Sequence, residues 1–258
     1  MYTERAKIIS QLQQEILLLE GLKLSKSGSV DMGLGPILNA FPNSTFPLAA
    51  VHQFLFNGTK GKAATIGFIT GLLSPLMGNG GVSAWISAAR TIFPPGLKNF
   101  GIQPDRFIFI DLQKEKDLPW AIEEALKCSA LTAVIGEMKE IGFTASRRLQ
   151  LAVEQSQVTG FMLCNDSQKL NTTACVSRWR ITPLPSDAVD DHLPGVGFPK
   201  WKVELLRIRN GRTGVWEVDW RGGRFISFRE NISINGFSRD ASAAKSLPMR
   251  DASAAKTG

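Results

Sequence analysis

The chain has 258 residues, with 30 Lys and Arg against 23 Asp and Glu and a formal net charge of +7. At about 100–200 residues per domain this is one large domain or two small ones, long enough to bury a core without a disulfide or metal staple. The three cysteines, Cys128, Cys164 and Cys175, form no C-x-x-C pair and have no nearby histidine, which excludes a structural zinc site and a disulfide framework; buried thiols in a reducing cytoplasm are the expectation.

Residues 3–21 predict an amphipathic helix, with Ile9, Leu12, Ile16 and Leu19 on one stripe. Charges interrupt this segment, so it is no secretory signal. A polar Gly/Ser linker follows from Lys23 to Ser29. Residues 63–89 carry no charge, but five glycines and Pro75 break the run, so a buried strand, glycine loop and buried helix are expected rather than a membrane span.

The run AATIGFIT at 63–70 reads as a strand and VSAWISAARTIF at 82–93 as a helix stopped by Pro94 and Pro95. A strand at 106–111, a helix from Pro119 to Cys128, a strand at 131–136, a helix from Thr144 to Gln157 and a strand at 159–165 follow. Alternating strands and helices predict a mostly parallel sheet with helices on both faces. From about 174 onward, strand-like runs follow one another without helices, and Asn210-Gly211 marks a hairpin, so antiparallel strands extend the sheet. The expected organisation is an N-terminal helix at 1–22, an α/β domain at 30–230 and a tail at 238–258. RDASAAK occurs in the tail twice, at 239–245 and 250–256, a composition expected to be disordered.

In a parallel sheet ligands sit at the carboxyl ends of the strands. With the first strand at 63–70, the phosphate-loop position falls on Gly71, Gly78, Asn79, Gly80, Gly81 and Ser83. That loop has the glycines but lacks the lysine and adjacent hydroxyl of G-x-x-x-x-G-K-[ST], so ATP hydrolysis is not expected. It remains either a contact for an anion or a structural turn. Glu137 and Asn165 end two strands, where they could orient water, metal or ligand, or be solvated loop residues. His52 has no acidic partner in sequence and reads as a hydrogen-bonded core histidine; His192 reads as exposed. Neither histidine supports a catalytic triad.

Residues 200–229 hold eight basic and three acidic side chains, with Trp201, Trp216 and Trp220 interleaved. Lys200, Lys202, Arg207, Arg209 and Arg212 could neutralise phosphates while the indoles stack on bases, giving weak, salt-sensitive DNA binding. The other reading is core tryptophans with a charged rim. Arg147 and Arg148 open a helix and read either as a contact for DNA or a partner, or as an exposed helix face.

The segments FPLAAVHQF (46–54), 106–138, TASRRLQLAVEQSQVTGFMLCN (144–165) and WKVELLRIRNGRTGVWEVDW (201–220) resemble the ImuA family, RecA-like accessory proteins of mutagenic translesion synthesis sometimes labelled as SulA-related. His52-Gln53-Phe54 departs slightly from the family's usual His-Glu-Phe. The resemblance implies a RecA-like α/β fold without an intact phosphate-binding motif, no cofactor, and a non-catalytic role in the cytoplasm. It implies as partners an ImuB-type Y-family polymerase homologue, an error-prone replicative-type polymerase, and RecA. In RecA the N-terminal helix packs on a neighbouring protomer; the Ile9–Leu19 stripe serves the same self-association or closes its own core. Two other readings stay open: an ATP-dependent DNA-binding ATPase, and a SulA-like binder of the division protein FtsZ.

Overall fold

The structure is a computed structural model that describes residues 30–78, 80–89, 92–166, 171–186 and 197–231, apart from the side chains of 227–231. The expected N-terminal helix, the tail, Asn79 and His192 lie outside the described residues. Nine strands form one sheet: β1 (Val51–Phe56), β2 (Ser83–Ser87), β3 (Phe107–Asp111), β4 (Ala133–Met138), β5 (Thr159–Asn165), β6 (Ser177–Leu184), β7 (Lys200–Ile208), β8 (Gly214–Arg221) and β9 (Arg224–Asn231). Their order is β3-β2-β4-β5-β1-β6-β7-β8-β9. Neighbours from β3 through β6 pair in parallel, and β6 through β9 pair antiparallel. The mostly parallel sheet with a C-terminal antiparallel extension is thus as the sequence predicts.

Among the described residues three α-helices cover the sheet: α1 (Gly58–Met77), α2 (Leu118–Lys127) and α3 (Phe143–Ser156). Two assignments differ from the sequence expectation. Residues 63–70 lie inside α1, not in a strand, and the segment 82–93 supplies β2, not a helix. Periodicity cannot separate the two cases, because α1 is buried on most of its circumference and β2 along its whole length. Thr65 and Thr70 settle into the helix by donating their hydroxyls to the carbonyls of Gly61 (2.9 Å) and Ile66 (2.8 Å).

Two apolar clusters lie on opposite faces of the sheet. On one face α1 packs Phe68 and Leu72 against Phe54, Trp179, Trp201, Trp220 and Phe225. Burying each such side chain contributes about 1.5–3 kcal/mol. On the other face α2 and α3 pack Ile122, Leu126, Leu149 and Val153 against β4 and β5. Pro119 stands in the first turn of α2, where its missing N–H costs no helical hydrogen bond. The sequence offers Thr144 as the cap of α3, but the N-cap is Gly142 and no side chain caps the helix. The β8–β9 link is Gly222-Gly223, both at positive φ (57° and 77°), as a two-residue hairpin turn requires.

Candidate functional site: the carboxyl end of β1, β4 and β5

The first strand is β1, so the strand-to-helix loop falls at Phe56-Asn57-Gly58 and not at 71–81. The expected phosphate-loop residues are therefore relocated. Gly71 lies inside α1, Gly78, Gly80 and Gly81 form the turn that ends it, and Ser83 begins β2. Gly81 donates its N–H to the Met77 carbonyl at 2.7 Å, so that turn closes on the helix's own end. It is a helix stop, and its amides are not arranged around an anion.

At the true position the sequence runs Phe56-Asn57-Gly58-Thr59-Lys60-Gly61-Lys62-Ala63. Set against G-x-x-x-x-G-K-[ST], it keeps Gly61 and Lys62, has Phe56 for the first glycine, and has Ala63 for the hydroxyl residue that would hold Mg²⁺. The lysine missing from the sequence reading is thus Lys62. The pattern of 63–70 places the strand after this lysine, whereas the strand lies before it. The backbone has changed as well: one residue, Asn57, separates the last residue of β1 from the first of α1. A phosphate-wrapping loop needs several successive N–H groups in a concave turn, and this link provides no such length.

The space is filled from within. Lys62 Nζ lies 2.6 Å from Glu137 Oε2, and the ammonium stands over the Phe56 ring, 5.8 Å from its centroid. Trp85 on β2, itself buried, donates its indole N–H to Glu137 Oε1 at 2.8 Å. Both carboxylate oxygens of Glu137 are therefore bound, in a side chain that is 9% exposed. One residue from each of α1, β4 and β2 meets here, so the carboxylate ties α1 to two neighbouring strands of the sheet. Asn165, at the end of β5, sits in register with Phe56, and its backbone N–H bonds the Lys139 carbonyl. Its side chain is exposed beside the pair rather than part of it. Among the described residues no group of three or more His, Cys, Asp and Glu side chains could hold a metal ion.

The C-terminal basic region resolves into two faces. Trp201, Trp216 and Trp220 are 3%, 2% and 5% exposed and pack beneath α1, so they offer no stacking surface for bases. Strand alternation sends the charged residues outward. Lys202 pairs with Glu204 at 3.3 Å, Arg207 donates to the Thr173 carbonyl at 2.9 Å, and Arg212 stands exposed in the β7–β8 turn. Lys200 and Arg209 are half-buried. Arg147 and Arg148 both lie on the exposed side of α3, and Arg148 Nη2 is 2.7 Å from Glu123 Oε2.

His52 is fully buried in the aromatic face. Trp179 Nε1 donates to Ser177 Oγ (2.7 Å), which lies 2.6 Å from His52 Nδ1, while His52 Nε2 lies 2.8 Å from the Pro47 carbonyl. A carbonyl can accept and not donate, so the proton is on Nε2 and the serine hydroxyl donates to Nδ1. Burial lowers the histidine's pKa to about 4. Its role is structural. Cys164 and Cys175 are buried as expected, with thiols pushed up by burial to about 12 and about 11, but Cys128 is exposed, contrary to the expectation of three buried thiols.

No family model matches the chain. Two curated relatives, each named protein ImuA and drawn from two strains of Caulobacter vibrioides, are 32% identical over 199 residues, covering 72% of this chain and 81% of theirs. Among solved structures, the RadB recombinase matches with a TM-score of 0.53 at 14% identity, covering 76% of this chain and 98% of that one. A KaiC-like protein from Pyrococcus horikoshii OT3 matches with a TM-score of 0.51 at 10% identity, covering 78% and 99%. These two likenesses are of fold, and the fold is RecA-like.

Proposed function

The chain belongs to the ImuA family, and from that premise we propose that it is a non-catalytic RecA-like accessory protein of the DNA damage response, serving error-prone translesion synthesis through protein contacts. The observation that carries the reading is the Lys62–Glu137 pair at 2.6 Å. In a working phosphate-binding site the lysine reaches the β/γ-phosphates and a Ser/Thr hydroxyl holds Mg²⁺. Here the lysine's charge is met by a carboxylate, Ala63 offers no oxygen, and Phe56 fills the loop. The expected partners are those of the family: an ImuB-type polymerase homologue, an error-prone replicative-type polymerase, and RecA.

DNA contact by the C-terminal strands, where it occurs, rests on charge alone, because Trp201, Trp216 and Trp220 are buried. Such binding would be weak and would fall steeply with salt. No helix among the described residues is long and apolar enough to cross a membrane. The test is a titration of the purified chain with a fluorescent ATP analogue and Mg²⁺ up to millimolar nucleotide, together with damage-induced mutation frequency after gene deletion. No saturable binding, with mutation reduced and recombination preserved, is expected. Saturable binding with DNA-stimulated hydrolysis would establish an ATPase instead, and recovery of FtsZ without a polymerase component would establish the division-inhibitor reading.

A further inference from the structure

Strand alternation places Met138, the residue after Glu137, on the opposite face of the sheet, beneath α2 and α3. There the two helices leave a groove of about 310 Å³. Met138 and Leu149, 9% and 2% exposed, form its floor. Trp120 forms a wall and is 66% exposed, although an indole ordinarily buries most of its surface. Phe143, one turn before Arg147 on α3, is 56% exposed. Two large aromatic side chains at one helix pair, beside an apolar floor, mark an interaction surface.

The charges at its mouth are unbalanced. Lys116 and Arg148 both line the groove, with Glu123 as the one carboxylate there. Glu123 is already shared between Arg148 (2.7 Å) and Lys127 (3.3 Å). Lys127 lies closer still to Glu124 (2.7 Å), so the groove's own lining holds two cations, Lys116 and Arg148, against one carboxylate, and a ligand bearing negative charge gains from that excess.

We propose that this groove docks a short acidic segment of a partner protein. A Leu- or Phe-type side chain rests on Met138 and Leu149 beside the Trp120 ring, and flanking Asp or Glu carboxylates meet Lys116 and Arg148. The volume suits a single large side chain, and a central aromatic in a partly desolvated pocket is the usual anchor of such contacts. Single-stranded nucleic acid fits less well. It needs a track of cations and successive stacking platforms, whereas this groove is lined by one indole and two cations. The proposal rests on the contact-protein reading and names a surface for it.

The test selects peptides from a phage-displayed random dodecapeptide library on the full-length chain, then measures binding of the labelled enriched peptides by fluorescence anisotropy. Enriched sequences are expected to carry Asp or Glu flanking one large apolar residue. Trp120→Ala should weaken them by roughly tenfold or more, Lys116→Glu should weaken them further in low salt, and raised salt should weaken binding to the unaltered chain. Both substitutions lie on exposed side chains, and a circular dichroism spectrum checks that the fold is retained. No enrichment over the bare surface, or enriched peptides indifferent to Trp120→Ala, would overturn the proposal. So would a labelled oligo-dT bound in a Trp120-dependent way, or a dimer of the chain that Trp120→Ala dissolves. None of these outcomes depends on ATP binding, so failure here leaves the non-catalytic reading to its own titration.

Discussion

Helix α1 offers one substitution at three positions with three different outcomes. Gly61, Gly67 and Gly71 all have ordinary helical backbone, so replacing any of them by Ala gains up to about 1 kcal/mol of helix propensity. What differs is the space. A Cβ on Gly61 would meet nothing nearer than 3.8 Å, in ordinary contact with Phe56. On Gly67 it would stand 3.1 Å from Trp201 Cζ2. On Gly71 it would stand 2.5 Å from Phe225 Cζ and 3.0 Å from Trp220 Cζ3. Carbon atoms pack at about 3.5–4.0 Å, so Gly71→Ala forces two buried rings apart, at a cost near the upper end of the 1–3 kcal/mol typical of overpacking. Set against the propensity gain, Gly71→Ala is expected to destabilise by about 2 kcal/mol, Gly67→Ala to be close to neutral, and Gly61→Ala to stabilise by up to about 1 kcal/mol. Urea denaturation followed by circular dichroism reads this as a fall, little change and a rise in the midpoint at constant slope. Three shifts of one sign and similar size would refute the packing of β8 and β9 against α1 described above.

His52 gives a pH dependence. Its folded pKa of about 4 lies below the ordinary histidine value of 6.5 because the ring is buried, so the unfolded chain binds more protons between these values. Stability is therefore full above about pH 6.5, falls as the pH drops toward 4 and levels off below it, with at most about 3 kcal/mol involved; His52→Gln should remove this part of the slope, and an unchanged slope would count against the buried neutral ring. A double-mutant cycle with Lys62→Met and Glu137→Gln should give a coupling of about 1–2 kcal/mol in thermal or urea unfolding, whereas a coupling near zero would mean the two side chains do not meet. Thiol labelling of the native chain should proceed quickly at exposed Cys128 and await unfolding at Cys164 and Cys175; three equal rates would contradict the burial of the latter two.

The β4–α3–β5 unit was legible in the sequence because each piece carries its own signal. α2 has Pro119 at its start and Lys127 at its end, and β5 at Thr159–Asn165 is the run predicted. The β7–β8 hairpin is announced by Asn210-Gly211, whereas the Gly222-Gly223 turn between β8 and β9 is seen only in the structure. The first third was misread for one physical reason: AATIGFIT is a helix segment with apolar residues all round, while SAWIS is a strand with Ala and Ser in it. Local pattern favours the opposite assignment for both, and burial between sheet and aromatic cluster overrides it. Exchanging the two moved the first strand–helix junction from Phe56 to Gly71, which hid Lys62. Glu137 was found as a strand-end acid, yet its partner could not be, since the pairing crosses 75 residues of chain (62 to 137). For the indoles of the C-terminal strands the sequence leaves stacking and core both open, and the burial of Trp201, Trp216 and Trp220 decides for core; the alternation of Trp201 and Val203 with Lys200, Lys202 and Glu204 is that of a half-buried strand.

The Glu137–Met138 step has a bearing on how the sheet assembles. These neighbours face opposite sides of β4, one under a lysine, the other against an apolar floor. Slipping β4 by one residue between β2 and β5 would exchange them. The carboxylate would enter the apolar cluster without a cation, and the thioether would face Lys62 and the Trp85 N–H. Both new environments are unfavourable, and an unpaired buried charge is the worse of the two. The Lys62–Glu137 pair therefore acts as a key that admits one alignment of the central strands.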